Sequence, residues 1–163
     1  MILKRGRFKK ELKKRRKNMD ENTAKKIIEE AQTLLGTPYK YGVKEEDIPR
    51  FIDCSSFTQL VFEKVMGKDI GRSTIIQATH GETIQEKDLQ PGDLVFFRGS
   101  KGHFNDGLFP PEKYGYDICI GHVAIYTGNG MVIHASGEKG KVIEESLEDI
   151  KKTRVRIVII KRM

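Results

Sequence analysis

Helical and extended segments are separated along this chain of 163 residues. In the first half, apolar residues recur at helical spacing over residues 24–35 and again over residues 54–66. After Pro91-Gly92-Asp93 the pattern changes to short apolar runs that are typical of strands. Two of these runs flank Gly128-Asn129-Gly130, which is a strong hairpin signal. Helices followed by an antiparallel sheet of about five strands predict the α+β class, with the helices packed on the sheet.

The predicted helices have clear ends. Asn22-Thr23 can cap the first helix, and Gly36 ends it. Asp53 stands where the second helix needs a cap, and Gly67 follows its last apolar residue. The other predicted elements are a short helix over residues 73–80, strands over residues 94–97, 122–127, 131–135, 141–144 and 155–159, and an insertion over residues 98–120.

The net charge of +7 is concentrated in a tail. Residues 1–18 contain ten Lys and Arg and one Glu, a net charge of +9. Residues 19–163 contain twenty basic and twenty-two acidic side chains, a net charge of −2. The sequence therefore predicts a basic N-terminal tail over residues 1–18 and one folded domain over residues 19–163. A nearly neutral domain argues against nucleic-acid binding by the body, which needs a basic surface.

The basic tail is compatible with two roles. It is either an arm that contacts an anionic polymer or a membrane surface, or a solvated, partly helical extension. A secretory signal peptide is not predicted, because no apolar core of about 7–15 residues follows Lys17. No stretch approaches the roughly 20 apolar residues of a transmembrane span.

Cys54 is the candidate nucleophile. It stands in the predicted first turn of a helix, where unpaired backbone N–H groups and the helix dipole favour the thiolate. The alternative is a structural cysteine in the core, but Asp53, Ser55 and Ser56 surround it with polar groups. The second cysteine, Cys119, lies in the insertion, and a domain of this size needs no disulfide.

Two histidines lie in the predicted hairpin. His122 opens the first strand, and His134 lies near the end of the second. A cysteine nucleophile needs a base within hydrogen-bonding reach and a group that orients this base. The two histidines are not directly opposed across the turn, but adjacent strands bring their rings close if both point to one face. The pair therefore indicates a catalytic site.

A zinc site is a second interpretation of the same region. Cys119 and His122 are three residues apart, and His80 and His103 supply further potential ligands. The paired cysteine spacing of structural zinc sites is absent, so the sequence favours a site without a metal.

Several segments of the chain resemble the motifs of the NlpC family of papain-like cysteine peptidases. They follow the order and, for the most part, the spacing of that family over roughly residues 24–136. The segments are Leu35-Gly36-Thr37-Pro38-Tyr39-Lys40-Tyr41-Gly42, Asp53-Cys54-Ser55-Ser56, Leu89-Gln90-Pro91-Gly92-Asp93-Leu94-Val95-Phe96-Phe97, Gly121-His122-Val123-Ala124-Ile125-Tyr126 and Ile133-His134-Ala135, with Arg72-Ser73-Thr74, Gln77 and Gly81 between them. Each segment alone is a weak signal, whereas the ordered set is a strong one.

The resemblance implies a papain-like fold and a role for each matching residue. Cys54 matches the nucleophile, His122 the general base and acid, and His134 the polar residue that orients the base. Tyr39 matches a loop tyrosine that stabilises the oxyanion together with the backbone N–H of Cys54, and Tyr41 is a weaker match.

Two residues beside the cysteine match positions that bind substrate in relatives. Asp53 and Ser55 correspond to residues that recognise the free amine of a stem peptide. Both residue types also cap helices, and the two roles are compatible.

The resemblance implies hydrolysis of an amide bond in peptidoglycan stem peptides, between D-γ-glutamyl and a diamino acid, through an acyl-enzyme. The expected partner is peptidoglycan or a muropeptide, and no metal or organic cofactor is expected. The expected location is secreted or wall-associated. Because the chain has no signal peptide, a cytoplasmic recycling enzyme, a phage-borne enzyme or a sequence trimmed of its targeting segment also fits.

Two alternative functions stay open at this point. The chain is a related papain-like hydrolase or acyltransferase that acts on a lipid or protein amide, or it is a non-catalytic module that binds the wall or a polyanion through its tail. The intact set of Cys54, His122 and His134 argues against the second alternative.

Three features depart from the family pattern. Ser56 stands where a glycine is usual, which predicts a crowded helix start. Gly121 stands where a serine is common. The insertion over residues 98–120 is longer than usual, which predicts a lid or a wall of the substrate site.

Overall fold

The helices precede the main strands of the sheet, with one exception near the C-terminus. A computed structural model describes residues 19–103, 120–153 and 156–163. The basic tail 1–18, Cys119 and most of the predicted insertion lie outside the described residues. The described helices are α1 (Glu21–Thr33), α2 (Cys54–Met66), the short α3 (Thr74–Gln77) and α4 (Leu147–Thr153).

The described strands form an antiparallel sheet. They are β1 (Glu82–Thr83), β2 (Leu94–His103), β3 (Ile120–Gly128), β4 (Met131–Ser136), β5 (Lys141–Ser146) and β6 (Ile157–Arg162). Their order across the sheet is β1-β6-β2-β3-β4-β5, so β2 and β3 lie at its centre. The predicted hairpin is confirmed as β3 and β4, joined through Gly128-Asn129-Gly130. The α+β class predicted from the sequence is therefore confirmed.

Within the described residues the sheet has six strands, where about five were predicted. The additional strand, β1, pairs with β6 through only two residues, Glu82 and Thr83, and two residues are too few to show an alternating pattern. Helix α4 was not predicted either, because only Leu147 and Ile150 in its seven residues are buried. Strand β2 continues to His103, so the region between the central strands is shorter than the predicted insertion.

Both faces of the sheet are covered, which explains why its central strands are continuous apolar runs. On one face Phe96 and Ile125 pack with residues of α1 and α2 such as Ile27, Phe57 and Phe62. The opposite face forms a second apolar cluster, whose members include Val95, Phe97, Ala124, Val132 and Ile150. Helix α2 packs against β3 and β4, the two strands of the hairpin.

The first helix begins one residue earlier than its predicted cap. The side chain of Asp20, not that of Asn22, accepts the hydrogen bond from the Thr23 backbone N–H at 3.2 Å. Asn22 itself lies inside the helix. No helix in the described residues combines the length and the apolar character that crossing a bilayer requires.

The loop after α1 lies along the outer edge of the sheet. The Gly36 N–H donates to the carbonyl of Val142 on β5 at 2.9 Å, and the Val142 N–H donates back to Thr37 at 3.0 Å. The Tyr39 N–H then donates to Gly140 at 2.8 Å. These bonds protect the β5 edge, and they fix Tyr39 beside the turn between β4 and β5.

A buried ion pair connects the last strand to the start of β2. The Arg162 guanidinium donates to both carboxylate oxygens of Asp93, from Nε at 2.8 Å and from Nη2 at 2.7 Å. The same carboxylate accepts the Gln90 N–H at 2.8 Å. The hydrogen bond to Asp93 raises the pKa of Arg162 despite burial. The Pro-Gly-Asp motif therefore holds β2 and β6 together at one end of the sheet.

Candidate active site

Cys54 is the first residue of α2. It is partly buried and packs against the apolar cluster on the helix side of the sheet. The backbone N–H groups of this first turn have no partner within the helix, so the helix terminus favours a negative charge on the sulfur. The predicted position of the cysteine is confirmed, whereas its role as nucleophile stays a prediction.

Asp53 and Ser56 close the start of this helix with a reciprocal pair of bonds. The Ser56 N–H donates to Asp53 Oδ1 at 2.8 Å, and the Asp53 N–H donates to Ser56 Oγ at 2.8 Å. This arrangement is a capping box. Ser56, which was expected to crowd the helix start in place of a glycine, is buried and supplies one half of the cap.

Arg72 binds the carboxylate that caps the helix. Its Nη1 donates to Asp53 Oδ1 at 3.0 Å and to the Ser55 hydroxyl at 3.0 Å, and its Nη2 donates to Asp53 Oδ2 at 2.7 Å. Burial opposes ionisation of Asp53, but the bonds from Arg72 and Ser56 outweigh it and lower the pKa of this carboxyl. Asp53 is therefore a carboxylate with a built-in counter-ion.

Gln77 fixes the same region from α3. Its Nε2 donates to the carbonyl oxygens of Ser55 at 2.7 Å and Gly71 at 2.8 Å, and its Oε1 accepts from the Thr58 hydroxyl at 2.7 Å. Arg72 and Gln77 were absent from the predicted site. The signal that could have found them was their position in the segment that resembles the linking part of the NlpC motif set.

His122 and His134 form a buried pair, as the hairpin predicted. Nε2 of His122 lies 2.7 Å from Nδ1 of His134, and each residue is 2% exposed. The rings meet edge to face, with centroids 4.8 Å apart. Ile125 pairs with Ile133, so the two histidines lie diagonally across β3 and β4. The side chains do point to one face of the sheet.

A carboxylate on β5, the strand next to β4, extends this pair of hydrogen-bonding side chains. Oε1 of Glu145 lies 2.6 Å from Nε2 of His134, the nitrogen that His122 does not contact. The sequence reasoning missed Glu145, since the predicted β5 ended one residue before it. Only the register between β4 and β5 reveals the contact, because Val132 and not His134 is the direct partner of Glu145.

Tyr39 lies between the helix start and the strands. Its backbone forms a bridge with Ile52, two residues before Cys54, and a bond with Gly140. Its ring lies so close to Gly137 that a Cβ there would be 3.3 Å from two ring atoms. Tyr41, the weaker candidate, is 84% exposed. The structure thus puts Tyr39, but not Tyr41, in a fixed packing environment.

The zinc interpretation depends on Cys119, which the structure does not describe. Within the described residues, no group of three or more His, Cys, Asp or Glu could hold a metal ion.

The fold and the site together define a class. A cysteine at a helix start, with the helix packed on an antiparallel sheet that carries a buried histidine pair, is the arrangement of papain-like cysteine hydrolases. The model of the NlpC/P60 family matches residues 36–109. The chain belongs to the NlpC/P60 family, a family of cysteine peptidases that includes peptidoglycan endopeptidases.

The names of the curated relatives agree that these proteins are hydrolases, but they specify different cleaved bonds. The Escherichia coli protein named "Probable endopeptidase NlpC" is 35% identical over 76% of this chain and 68% of its own length. The "Gamma-DL-glutamyl hydrolase" of Bacillus subtilis is 30% identical over 79% of this chain and 27% of its own length. The Escherichia coli protein "Murein DD-endopeptidase MepS/Murein LD-carboxypeptidase" is 32% identical over 79% of this chain and 58% of its own length.

A solved structure shares the fold. The NlpC/p60 domain of the peptidoglycan hydrolase SagA superposes with a TM-score of 0.65 at 31% identity, over 86% of this chain and 98% of that domain. The chain spans a smaller part of other curated relatives. It covers 19% of Protein P54 from Enterococcus faecium and 50% of a Corynebacterium glutamicum protein named "Probable endopeptidase Cgl2188".

Proposed function

We propose that this chain hydrolyses the amide bond between D-γ-glutamyl and a diamino acid in peptidoglycan stem peptides. The observation that carries the proposal is the buried His122–His134 hydrogen bond on the two strands against which the Cys54 helix packs. A base held by a second imidazole and a thiol at a helix N-terminus are the catalytic groups that acyl transfer requires.

The reaction proceeds in two displacements. The Cys54 thiolate attacks the amide carbonyl carbon, and a C–S bond forms while the carbonyl oxygen becomes an oxyanion. Protonated His122 gives its proton to the leaving nitrogen, the C–N bond breaks, and a thioester remains on Cys54. His122 then takes a proton from water, the hydroxide attacks the thioester carbon, and the C–S bond breaks to release the acid and restore the cysteine.

The oxyanion needs donors that are already in place. We assign the first donor to the backbone N–H of Cys54, at the first position of α2, where the N–H groups point out of the helix terminus. Tyr39 supplies the second donor through its hydroxyl. Its ring packs against Gly137 and its backbone is bonded on both sides, so the hydroxyl is held rather than mobile.

The pair of charges beside Cys54 suits a zwitterionic substrate. A γ-linked glutamate keeps its α-carboxylate, and a trimmed stem peptide keeps a free amine. We assign the carboxylate to Arg72, whose side chain is 42% exposed, and the amine to Asp53 and Ser55. The charge on Asp53 is shared with Arg72, so the amine binds to a balanced pair rather than to an isolated carboxylate.

The names of two relatives point to different bonds. The Bacillus subtilis relative is named for the γ-glutamyl bond, and one Escherichia coli relative is named for the DD bond of the cross-link. The charge pair of Arg72 and Asp53 favours the first bond, because the glutamate on the acyl side of this bond keeps a free α-carboxylate, whereas the acyl residue of a cross-link is an alanine without one. Cleavage of the DD cross-link is the second candidate.

Mass spectrometry of defined muropeptides separates these candidates. The substrates are a free stem peptide, the same peptide with the glutamate α-carboxyl amidated, and a DD-cross-linked dimer. Wild-type protein should split the first after glutamate and the second more slowly, whereas Cys54→Ala should cleave neither. Cleavage of the dimer alone would replace the proposed bond with the cross-link. No cleavage at all would overturn the proposal.

Alkylation of Cys54 shows where to look if no muropeptide is cleaved. If iodoacetamide modifies Cys54 far below pH 8.5, roughly the pKa of a free thiol, the enzymatic interpretation stands and lipid or protein amides become the next substrates to test. An ordinary thiol titration would leave the non-catalytic alternative.

A further inference from the structure

A row of three hydrogen-bonding side chains crosses the hairpin and the strand next to it. His122 lies on β3, His134 on β4 and Glu145 on β5, with contacts of 2.7 Å and 2.6 Å along the row. The two histidines match the family motifs, whereas Glu145 matches none of the segments that show the resemblance. The third member therefore needs an explanation of its own.

Strand register places Glu145 in the row. His134 pairs directly with Ile143, and side chains two apart on a strand share a face. Glu145 therefore points to the same face as His134, one diagonal step along β5. Its side chain is 27% exposed and that of His134 is 3% exposed, so the carboxylate lies at the border of solvent and the imidazoles lie inside.

The carboxylate determines where the protons of the row must sit. An ionised carboxylate can only accept a hydrogen bond, so Nε2 of His134 carries a proton. A neutral His134 then has a lone pair on Nδ1, which accepts the proton on Nε2 of His122. If His122 is the base for Cys54, as proposed above, its Nδ1 is then the nitrogen that exchanges a proton with the thiol.

The opposite proton arrangement is unproductive. If His134 carried its proton on Nδ1, it would donate to His122, and the neutral ring of His122 would keep its own proton on Nδ1. That ring could not take a proton from Cys54. Without an acceptor at Nε2 of His134, nothing in the pair selects between the two arrangements.

We propose that Glu145 is a positioning residue, which fixes the tautomer of His134 and through it orients His122 and stabilises its protonated form. The proposal rests on the proposed catalytic roles of Cys54 and His122. Glu145 does not touch the reacting atoms, so its effect reaches the thiol only through the two rings.

Other ionisable groups lie on the elements around the row. They include Arg98 on β2, Cys54 on α2, Lys141 and Glu144 on β5, and Glu148, Asp149, Lys151 and Lys152 on α4. Asp149 binds the Ser146 hydroxyl and Lys152. Glu144 accepts from Thr127 at 3.2 Å and points to the opposite face from Glu145. Glu144 is therefore a matched control with the same charge on the same strand.

Nitrogen NMR of the histidine rings tests the tautomer without a substrate. In the wild-type protein, His134 should show a protonated Nε2 and an unprotonated Nδ1. Glu145→Ala should give averaged signals from two tautomers, and Glu145→Gln should preserve the wild-type tautomer because the amide oxygen still accepts. A wild-type His134 protonated only on Nδ1 would overturn the proposal, as would an unchanged spectrum in Glu145→Ala.

The pH dependence of Cys54 alkylation tests the charge. Both Glu145→Gln and Glu145→Ala should move the rise of the alkylation rate to higher pH, while Glu144→Gln should leave it in place. Muropeptide cleavage by Glu145→Ala should fall by about 10- to 100-fold, the effect that the loss of an outer partner of a functional histidine has at metal sites. Equal profiles for Glu145→Gln and Glu144→Gln would refute the charge effect.

The two readouts separate this inference from the proposed function. If the wild-type protein cleaves no muropeptide but shows the expected tautomers and shifts, the substrate is wrong and Glu145 keeps its role. If cleavage occurs and the Glu145 variants match the wild type in spectrum and profile, the function stands and the role of Glu145 is refuted.

Discussion

The two sides of the candidate site are assembled from different kinds of contact. At the start of α2 the cap is local, because Asp53 and Ser56 bind each other three residues apart, and Arg72 and Gln77 add bonds from farther along the chain. The histidine row instead takes one residue from each of three strands. The helix cap follows from local sequence, whereas the histidine row exists only when the sheet has formed in the correct register.

This difference determines how each side fails. A helix cap loses one or two bonds when a residue changes, and the helix remains. A strand that slips by one residue turns every side chain to the other face, so the whole row would be lost at once. We therefore expect substitutions in the row to affect activity most, and substitutions of the capping residues to affect stability and its pH dependence in addition to substrate binding.

The largest expected effect is the loss of the base. His122→Ala should lower kcat/KM for muropeptide cleavage by about 10⁴- to 10⁶-fold, the range found when one member of a catalytic triad is removed. His134→Ala should cost less, because His122 remains and loses only its orientation. Steady-state kinetics on the free stem peptide measure both, with circular dichroism as a control for folding. A larger loss for His134→Ala would exchange the two roles.

The next largest expected effect concerns the buried ion pair that joins the start of β2 to β6. Asp93→Asn should lower the free energy of unfolding by about 3 to 5 kcal/mol, because it leaves the Arg162 guanidinium buried without its anionic partner. Urea denaturation measures this change. Arg50→Ala, which removes an exposed partner of Asp47, is the control and should leave the midpoint unchanged. Equal midpoints for the two variants would show that the buried pair contributes little to the sheet.

The same contrast explains what the sequence could predict. The bounds of α2 follow from Asp53 and Gly67, and the hairpin follows from Gly128-Asn129-Gly130 between two apolar runs. These signals are local in the chain. The pairing of the two histidines was predictable because both belong to that one hairpin.

The contacts that were missed need information that a single sequence does not display. Glu145 meets His134 only through the register of β5, and Arg72 reaches Asp53 from nineteen residues away. Strand β1 was missed because two residues carry no periodic pattern. In each case the sequence names a suitable residue type, but the contact depends on packing between separate elements.

Tyr39 joins the two sides, and its hydroxyl should have an intermediate effect. Tyr39→Phe removes one proposed oxyanion donor and should lower kcat by about 10²-fold with a small change in KM. Tyr41→Phe is the matched control, since that residue is 84% exposed, and its kinetics should equal those of the wild type. A change confined to KM in Tyr39→Phe would assign the hydroxyl to substrate binding instead.

The smallest expected effect comes from removing the charge of Asp53, a change that alters the helix cap and leaves the histidine row intact. Asp53→Asn keeps an acceptor for the Ser56 N–H but loses the ion pair with Arg72, so it should cost about 1 to 2 kcal/mol at neutral pH. The folded state lowers the pKa of Asp53, so its stabilisation is complete above the unfolded pKa of about 3.9 and is lost as the pH falls through the lower folded value. Urea denaturation from neutral pH to about pH 3 should therefore show the wild type and Asp53→Asn converging in the acid range. A difference that stays constant with pH would mean that the carboxylate acts as a neutral cap, and that the charge of Arg72 contributes nothing to the helix start.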